Sequence, residues 1–297
     1  MIAAEQVEPQ KLEQTQGALQ RLKSYLYRQR RTLQQLPRDL KRDWALARWA
    51  AQERPRLMEA RRRREPEFKS SQHPLVSVLI CTYNRGQLLV ERTLPSILNQ
   101  TYQNFEVVIV GDCCPDDTPR RMAEVKDPRV RFLNLSERGR YPRKKEHLWM
   151  VAGTVPGNKC LELARGQWIA YLDDDDVFTP DHIEVLLKAA QDRDLELVYG
   201  LHQYERTPEE WKTNSPQFPT GRRPYKGNIG HSTALYRSYL TLFKYDTESW
   251  RAHLPADWHL WMRMGRCGVR TGFLNKIVTL MPLRPGETAI TELQFKN

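Results

Sequence analysis

The sequence predicts an α/β fold with a mainly parallel sheet flanked by helices, preceded by a helical N-terminal extension. From residue 74 onward, short apolar runs of strand length alternate with stretches of helical apolar spacing, as in repeated strand–helix units. These runs are almost continuously apolar, which is typical of parallel strands buried on both faces. The first 73 residues instead show leucines at three- and four-residue steps. We therefore expect an extension at residues 1–73 and an α/β domain at residues 74–297.

The positive charge of the chain is concentrated in the extension. The 297 residues carry a formal net charge of +11, and residues 1–73 hold 17 Lys and Arg against 9 Asp and Glu. With Trp44 and Trp49, this region suits packing on the domain or on a second subunit, or peripheral contact with anionic lipid. No recognised nucleic-acid motif accompanies the charge, so we expect no nucleic-acid partner.

The extension is expected to form two helices. Leucines from Leu19 to Leu40 lie close to a heptad pattern, which Pro37 should interrupt because proline lacks an amide donor. A second helix is predicted from Arg38 to about Arg54, ending near Pro55.

The composition predicts a cytoplasmic protein, with any membrane contact peripheral and at the inner face. No apolar run approaches the roughly 18 residues needed to span a bilayer. The N-terminus lacks the order of a signal peptide. The five scattered cysteines show no zinc-like spacing and are interpreted as reduced thiols.

The domain begins with two strand–helix units. Leu75–Thr82 (LVSVLICT) is a nearly continuous apolar run, and Leu88–Asn99 shows helical apolar spacing. A second strand is predicted at Phe105–Val110, followed by a short helix from about Thr118. The alternation then continues with strands at Val130–Leu135, Gln167–Leu172 and Leu195–Tyr199, helices at Asn158–Arg165 and Pro180–Gln191, and a basic insertion at Arg138–His147.

Polar residues follow three of these strands. Thr82, Tyr83 and Arg85 stand at the end of the first strand, Asp112 follows the second, and Asp173–Asp176 follow the fourth. Because parallel strands end at one edge of a sheet, where ligands bind, this layout predicts a nucleotide pocket. Four adjacent carboxylates repel one another, and a divalent cation such as Mn²⁺ or Mg²⁺ would offset that repulsion. The alternative is a solvated acidic loop or a helix N-terminus.

Four segments resemble the family 2 inverting glycosyltransferases. They are VSVLICTYNR (Val76–Arg85), SILNQTYQNFEVVIVGD (Ser96–Asp112), NKCLELARGQWIAYLDDDD (Asn158–Asp176) and PADWHLWMRM (Pro255–Met264). The resemblance implies a Rossmann-like, GT-A-type catalytic domain at residues 74–297. It also implies transfer of one sugar from a nucleotide-sugar donor to a hydroxyl of a glycan or lipid-linked acceptor, as in polysaccharide biosynthesis.

The resemblance also implies roles for individual residues. Tyr83 and Asp112 would lie at the nucleotide base and Asp174 near the ribose. Asp173 and Asp175 would be the acidic pair at the metal, with Asp175 favoured as the direct ligand. Further nucleotide-sugar contacts are expected from Thr82, Arg85 and Asn158.

The catalytic base is placed at Asp257 by the same resemblance. Asp257 follows Pro255 in the first turn of a predicted helix, beside Trp258 and Trp261. Burial beside tryptophans raises a carboxyl pKa, whereas a helix N-terminus lowers it, so the net direction stays open. A helix cap is the alternative role. The acceptor is expected to contact Trp258, Trp261 and His231.

The chain departs from the family pattern where positive charge is expected. Gly157 precedes Asn158 in place of an arginine, and Arg284 replaces a histidine before Pro285 and Gly286. The lost charge could come from the basic insertion or from the C-terminal region, with four candidates: Arg143, Lys144, Lys145 and Arg284.

Two other function classes share features with this sequence. A nucleotidyltransferase commonly has a glycine-rich basic loop after the first strand, but LICTYNRGQ has a single glycine. A catalytically degenerate scaffold is the other alternative, because several motif positions are altered. The sequence lacks both the transmembrane helices and the late Gln-x-x-Arg-Trp motif of processive synthases, which favours transfer of a single sugar.

Overall fold

The computed structural model describes residues 40, 42–68, 70–208, 210–214 and 229–289, and the chain divides into two compact units, Met1–Arg48 and Trp49–Asn297. In the first unit, residues 40 and 42–48 are helical. Leu40 and Trp44 are exposed, and the Arg48 guanidinium lies 5.8 Å from the centre of the Trp44 ring. The leucine pattern before residue 40 lies outside the described residues.

The second unit begins with helix α1 (residues 49–68). The predicted helix end near Pro55 is wrong, because the helix continues through this proline. Pro55 is exposed, so water can hydrogen-bond the backbone carbonyl that proline leaves unpaired. Glu53 and Leu57, on either side of Pro55, are buried in the second unit, and their contacts offset the cost of the proline. The domain boundary at residues 73 and 74 stays a prediction, although α1 belongs to the same compact unit as the sheet.

The remaining elements follow in the predicted alternation. The strands are β1 (Val76–Thr82), β2 (Phe105–Gly111), β3 (Val130–Asn134), β4 (Trp168–Tyr171), β5 (Val177–Phe178), β6 (Leu197–Thr207), β7 (Glu210–Thr213), β8 (Ala234–Arg237) and β9 (Thr271–Met281). The helices are α2 (Gly86–Leu88), α3 (Leu94–Leu98), α4 (Thr118–Glu124), α5 (Lys145–Val151), α6 (Thr154–Leu163), α7 (His182–Asp192) and α8 (Ala256–Cys267), with a π-helical turn at Leu89–Thr93 joining α2 to α3.

Within the described residues the strands form one sheet in the order β3-β2-β1-β4-β8-β6-β9-β5, with β7 beside β6. The first four strands of this order are all parallel. Strand β8 then runs antiparallel to both β4 and β6, while β6 and β9 are parallel. The predicted α/β fold is thus confirmed, and its second half is mixed because β8 reverses direction.

The parallel half of the sheet brings the polar strand ends together. Strand β2 is buried along its whole length, as expected for a strand covered on both faces. Thr82 pairs with Gly111, and Leu79 pairs with Tyr171, so β1, β2 and β4 end at the same edge. We call this edge, beyond Thr82, Gly111 and Tyr171, the carboxyl edge. Among the described residues, no helix is both long enough and apolar enough to cross a membrane.

Candidate active site

A cavity of about 440 Å³ opens at the carboxyl edge. It brings together nine of the residues that the sequence singled out: Thr82, Tyr83, Arg85, Asp112, Asp173, Asp174, Asp175, His231 and Asp257. These residues come from five different parts of the chain. The edge where parallel strands end is also where open α/β sheets bind their ligands.

One end of the cavity combines an aromatic ring with a buried carboxylate. The Arg138 guanidinium lies 3.8 Å from the centre of the Tyr83 ring and donates a 3.1 Å hydrogen bond to its hydroxyl. Arg138 Nε is 3.8 Å from Asp112, whose Oδ1 accepts a 2.9 Å hydrogen bond from the Gly139 amide. This end therefore offers a flat face, an acceptor and a cation to a bound group. Sequence reasoning missed Arg138, although it follows β3, which ends at the same edge.

Three of the four consecutive aspartates are enclosed by protein. Asp174, Asp175 and Asp176 are buried, which excludes the alternative of a solvated acidic loop. Asp176 accepts a 2.7 Å hydrogen bond from the Ser232 hydroxyl. Burial and the neighbouring charges of Asp173 and Asp175 raise the pKa of Asp176 well above its ordinary value.

Two arginines from distant parts of the chain, Arg85 and Arg284, face these carboxylates. Arg85 Nη1 donates to Asp174 at 2.7 Å and to Asp175 at 2.9 Å. Arg284 Nε donates to the same oxygen of Asp175 at 2.5 Å. Burial nevertheless raises the pKa of Asp174 to about 6, because desolvation outweighs the attraction of Arg85.

Of the four candidates for the altered positive charge, the cavity contains Arg284 alone. Its side chain lines the cavity and is about half exposed. Arg143, Lys144 and Lys145 are exposed and do not line it. The structure thus favours the C-terminal region over the basic insertion as the source of charge beside the aspartates.

Asp173 has the most accessible carboxylate of the four. Its side chain is 45% exposed, and one oxygen lies 3.5 Å from Nδ1 of His231. Burial acts to raise the pKa of Asp173, but its contacts with His231 and Ser232 hold the pKa below the ordinary value. Among the described residues no group of three or more His, Cys, Asp or Glu side chains is placed to hold a metal. Two carboxylates facing one cavity do fit Mg²⁺ or Mn²⁺, which commonly complete their coordination with phosphate oxygens and water.

Asp257 lies in the first turn of α8, which begins at Ala256, directly after the N-cap residue Pro255. Burial raises the pKa of Asp257, and this effect outweighs the opposing influence of His231 and of the Trp258 amide. The direction left open by the sequence is therefore upward, which brings a carboxylate closer to useful base strength.

The His231 side chain lies between the part of the cavity that carries Asp173 and the part that carries Asp257. Its Nε2 lies 2.7 Å from the hydroxyl of Tyr245, and its ring stacks on Tyr171 with 3.7 Å between ring centres. Its other ring nitrogen faces Asp173. The two tyrosines fix the imidazole between the Asp173 and Asp257 sides. Sequence reasoning did not single out either tyrosine, since aromatic residues in a core give no local signal of such a role.

Three predicted site residues do not line the cavity. Asn158 donates to the backbone carbonyl of Tyr245 at 2.9 Å and accepts from its amide at 2.8 Å, so its side chain holds that segment in place. Trp261 is only 2% exposed, and its ring centre is 6.3 Å from that of His231. Trp258 is partly buried. None of these three side chains is part of the cavity lining.

Comparison with known proteins identifies the family. The profile of glycosyl transferase family 2 matches residues 77–146 and 157–248. The chain belongs to this family. The enzyme is also 36% identical over 117 residues to the succinoglycan biosynthesis protein ExoO of Rhizobium meliloti, a match covering 39% of this chain and 30% of ExoO. The chain spans less than two thirds of the length of ExoO and of several other curated relatives.

Solved structures confirm the GT-A fold of this glycosyltransferase. TarS of S. aureus, crystallised with UDP, aligns with a TM-score of 0.52 and 18% identity over 71% of this chain and 61% of TarS. The mannosyltransferase PcManGT from Pyrobaculum calidifontis, in complex with GDP-Man and Mn²⁺, aligns with a TM-score of 0.50 and 19% identity, covering 80% of this chain and 67% of PcManGT.

Proposed function

We propose that this glycosyltransferase moves one sugar from a nucleotide-sugar donor to a hydroxyl of a saccharide or lipid-linked acceptor, with inversion at the anomeric carbon. The observation that carries the proposal is the position of Asp257, which lines the same cavity as the three aspartates 173–175. In-line displacement of a diphosphate requires a base for the attacking hydroxyl and a group that binds the leaving diphosphate. Both would be available in this one cavity.

The donor is expected to lie along the carboxyl edge. The Tyr83 ring and the buried carboxylate of Asp112 would hold the base, and Asp174 would lie near the ribose. Thr82 is buried at the end of β1, where it lines the cavity. Arg85 and Arg284 would bind the diphosphate, because guanidinium groups form strong charge-assisted hydrogen bonds with phosphate oxygens.

A divalent cation, Mn²⁺ or Mg²⁺, would be held by Asp173 and Asp175. When bound, such a cation stabilises negative charge on a leaving phosphate group. The GDP-Man and Mn²⁺ bound to PcManGT support a cation in this fold. In this chain the carboxylate of Asp175 already contacts Arg85 and Arg284, so these arginines must shift or share it with the cation.

Asp257 would act as general base on the acceptor hydroxyl. The proton moves from that hydroxyl to the Asp257 carboxylate while the oxygen attacks the anomeric carbon and the nucleoside diphosphate leaves. The raised pKa of Asp257 favours this proton transfer. His231, fixed by Tyr171 and Tyr245, would keep this wall of the cavity ordered.

The printed name of ExoO assigns it to succinoglycan biosynthesis, which supports a role for this enzyme in polysaccharide synthesis. We further propose that residues 1–73 make an oligomer contact or a peripheral contact with an anionic membrane at the cytoplasmic face. The exposed Leu40 and Trp44 support that role.

A nucleotide-sugar screen tests the proposed function. The full chain would be incubated with UDP- and GDP-sugars in Mn²⁺, in Mg²⁺ and in EDTA, and released nucleoside diphosphate would be measured. We expect cation-dependent release with one of these donors, and NMR of a transfer product should show an anomeric configuration opposite to that of the donor. Retention of configuration, or equal release in EDTA, would contradict the proposal.

A further inference from the structure

The basic insertion after β3 is not absorbed by the donor site. Arg140, Arg143, Lys144 and Lys145 are exposed and do not line the cavity. In the part of the chain that the structure describes, none of the four forms an ion pair with a carboxylate. A cluster of unpaired cations on a surface attracts anions. These four side chains could therefore bind an anionic group outside the donor site.

The helix that follows the insertion forms part of the cavity wall. Leu148, Trp149 and Met150 of α5 line the cavity together with Pro255 and Asp257. The preceding residue, His147, stacks on Trp250 with 4.6 Å between ring centres. Trp250 lies in the 3₁₀ helix Ser249–Ala252, just before α8. This stack anchors α5 beside the segment that carries Asp257, which is the acceptor side of the proposed reaction.

Trp149 is an unusually open aromatic residue for a cavity wall. Its side chain is 56% exposed, although most of the large apolar side chains in this unit are buried. Lys145 and Trp149 are four residues apart on α5, so they lie on the same helix face. An exposed indole beside an unpaired ammonium combines a flat apolar surface with a positive charge.

We infer that Trp149 and the basic residues before it form an acceptor subsite for an anionic saccharide, one that bears carboxylate or phosphate groups. The indole packs against the C–H face of a sugar ring, and Lys145, with Arg143 and Lys144 on its N-terminal side, contacts the acidic substituents outside the cavity. This inference rests on the proposed function for the direction of transfer, but the binding itself requires no catalysis.

The test is a titration of the full chain with defined saccharides. The probes are a glucuronic acid oligosaccharide, a neutral glucose oligosaccharide of equal length, and the same glucose oligosaccharide carrying a terminal phosphate. Binding would be measured by calorimetry for the wild type, for Trp149→Ala and for the double variant Arg143→Glu/Lys145→Glu. Trp211→Ala, at an exposed tryptophan outside the cavity, and Lys126→Glu, at an exposed lysine outside it, are the matched controls.

We expect the wild type to bind at least one acidic probe more tightly than the neutral one. Each exposed ion pair is worth up to about fivefold in affinity, so two or more pairs should give the acidic probe about a tenfold or greater preference over the neutral one. This preference should disappear in about 1 M salt. The double variant should lose the preference, and Trp149→Ala should lose binding of all probes. The controls should bind as the wild type does. Which acidic probe binds distinguishes carboxylate from phosphate as the recognised group.

Several results would overturn the inference. They are equal affinity for neutral and acidic probes, no binding of any probe, or unchanged binding by Trp149→Ala. Loss of nucleotide binding together with saccharide binding would also contradict a separate acceptor subsite. If the double variant instead loses binding to anionic phospholipid vesicles and keeps saccharide binding, the insertion is a membrane contact. Nucleotide-sugar turnover measured in parallel reports separately on the proposed function.

Discussion

Opposite edges of the sheet both carry arginine–carboxylate clusters, but the pKa of the buried carboxylate is shifted in opposite directions at the two edges. Glu196 precedes β6 at the edge opposite the cavity, and its buried carboxylate accepts from Arg61, Tyr239 and the Arg270 amide at 2.5–2.7 Å. These donors lower the pKa of Glu196 despite its burial. At the carboxyl edge, Arg85 does not compensate for the burial of Asp174, whose pKa rises to about 6.

We interpret the difference as one between charges that stabilise the fold and charges that are available to a ligand. A carboxylate whose hydrogen-bonding capacity is filled by the protein stabilises the fold and has nothing left for a ligand. A carboxylate that is desolvated with too few partners is strained in the free protein and is satisfied only when a ligand binds. We call the edge that carries Glu196, Arg237 and Arg270 the amino edge. It joins α1 to the sheet, whereas the carboxyl edge lines the cavity.

Removing α1, the helix that contacts the amino edge, should reduce the stability of the protein more than any other change considered below. A protein that begins at Gln72 lacks α1, and with it the buried Leu57 and Phe68 and the partners of Glu196 and Arg263. We expect it to lose cooperative unfolding, as measured by circular dichroism during heating. A protein that begins at Trp49 is the control and should unfold cooperatively. Cooperative melting of the shorter protein near the full-length temperature would show that α1 is dispensable.

Breaking a buried ion pair between α1 and α8 should have the second largest effect on stability. Arg263 is 1% exposed and donates to Glu53, which is 3% exposed. Arg263→Met leaves Glu53 buried without its partner, which should lower the free energy of unfolding by about 3–5 kcal/mol. The double variant Glu53→Leu/Arg263→Met removes both charges and should recover most of the loss in urea denaturation. Equal destabilisation of the single and double variants would assign the effect to packing instead.

At the carboxyl edge, removing a charge should instead raise the free energy of unfolding. The pKa of Asp174 is raised to about 6 in the folded protein from an ordinary 3.8, so the folded state binds a proton more tightly than the unfolded state does. Stability therefore falls as pH rises from about 4 to about 6, and the ionised carboxylate destabilises the fold above that range. Asp174→Asn should add up to about 3 kcal/mol at pH ~8 and little at pH ~4.

The control for this prediction is Glu196→Gln. The pKa of Glu196 is lowered in the folded protein, so its contribution is present above its ordinary pKa and is lost as pH falls through the folded pKa. Glu196→Gln should therefore destabilise at pH ~8. If both variants destabilise there to the same extent, the contrast between the two edges fails.

The smallest effect is expected for Arg284. It donates to Asp175 at 2.5 Å, and its side chain is about half exposed. If Arg284 binds the diphosphate, Arg284→Ala should weaken nucleotide-sugar binding by about tenfold, which corresponds to about 1.4 kcal/mol for a partly exposed charged contact. Stability should hardly change. Arg143→Ala, which removes a charge outside the cavity, should bind the donor normally, and a similar loss in both variants would indicate a general charge effect.

Sequence reasoning was accurate where the signal was local. The apolar runs predicted β1, β2 and β4, and the order of polar residues after them predicted that Tyr83, Asp112 and Asp174 would share one edge. These inferences need only strand-length runs and the rule that parallel strands end together. Resemblance to the family added Asp257, which no local pattern brings to the same cavity.

Sequence reasoning was less informative where distant residues decide the structure. Pro55 predicted a helix end, but contacts made by Glu53 and Arg61 with residues more than 130 positions later hold α1 together across it. The donor contact expected from Asn158 stays a prediction, and in the structure both polar atoms of its amide bind the backbone of Tyr245. Neither contact leaves a local trace in the sequence, because the partners meet only after the sheet has formed.

We propose Asp257 as the base of a sugar transfer carried out in the carboxyl-edge cavity. The most direct measurement compares Asp257→Asn with the wild type, both for the rate of transfer at saturating donor and for donor affinity. The control is Asp246→Asn, an aspartate shortly before α8 that does not line the cavity. We predict a loss of about 10²–10⁴-fold in rate for Asp257→Asn with nearly unchanged donor affinity, and a near-normal rate for the control. A folded Asp257→Asn variant that transfers sugar at a near-normal rate would show that Asp257 is not the base.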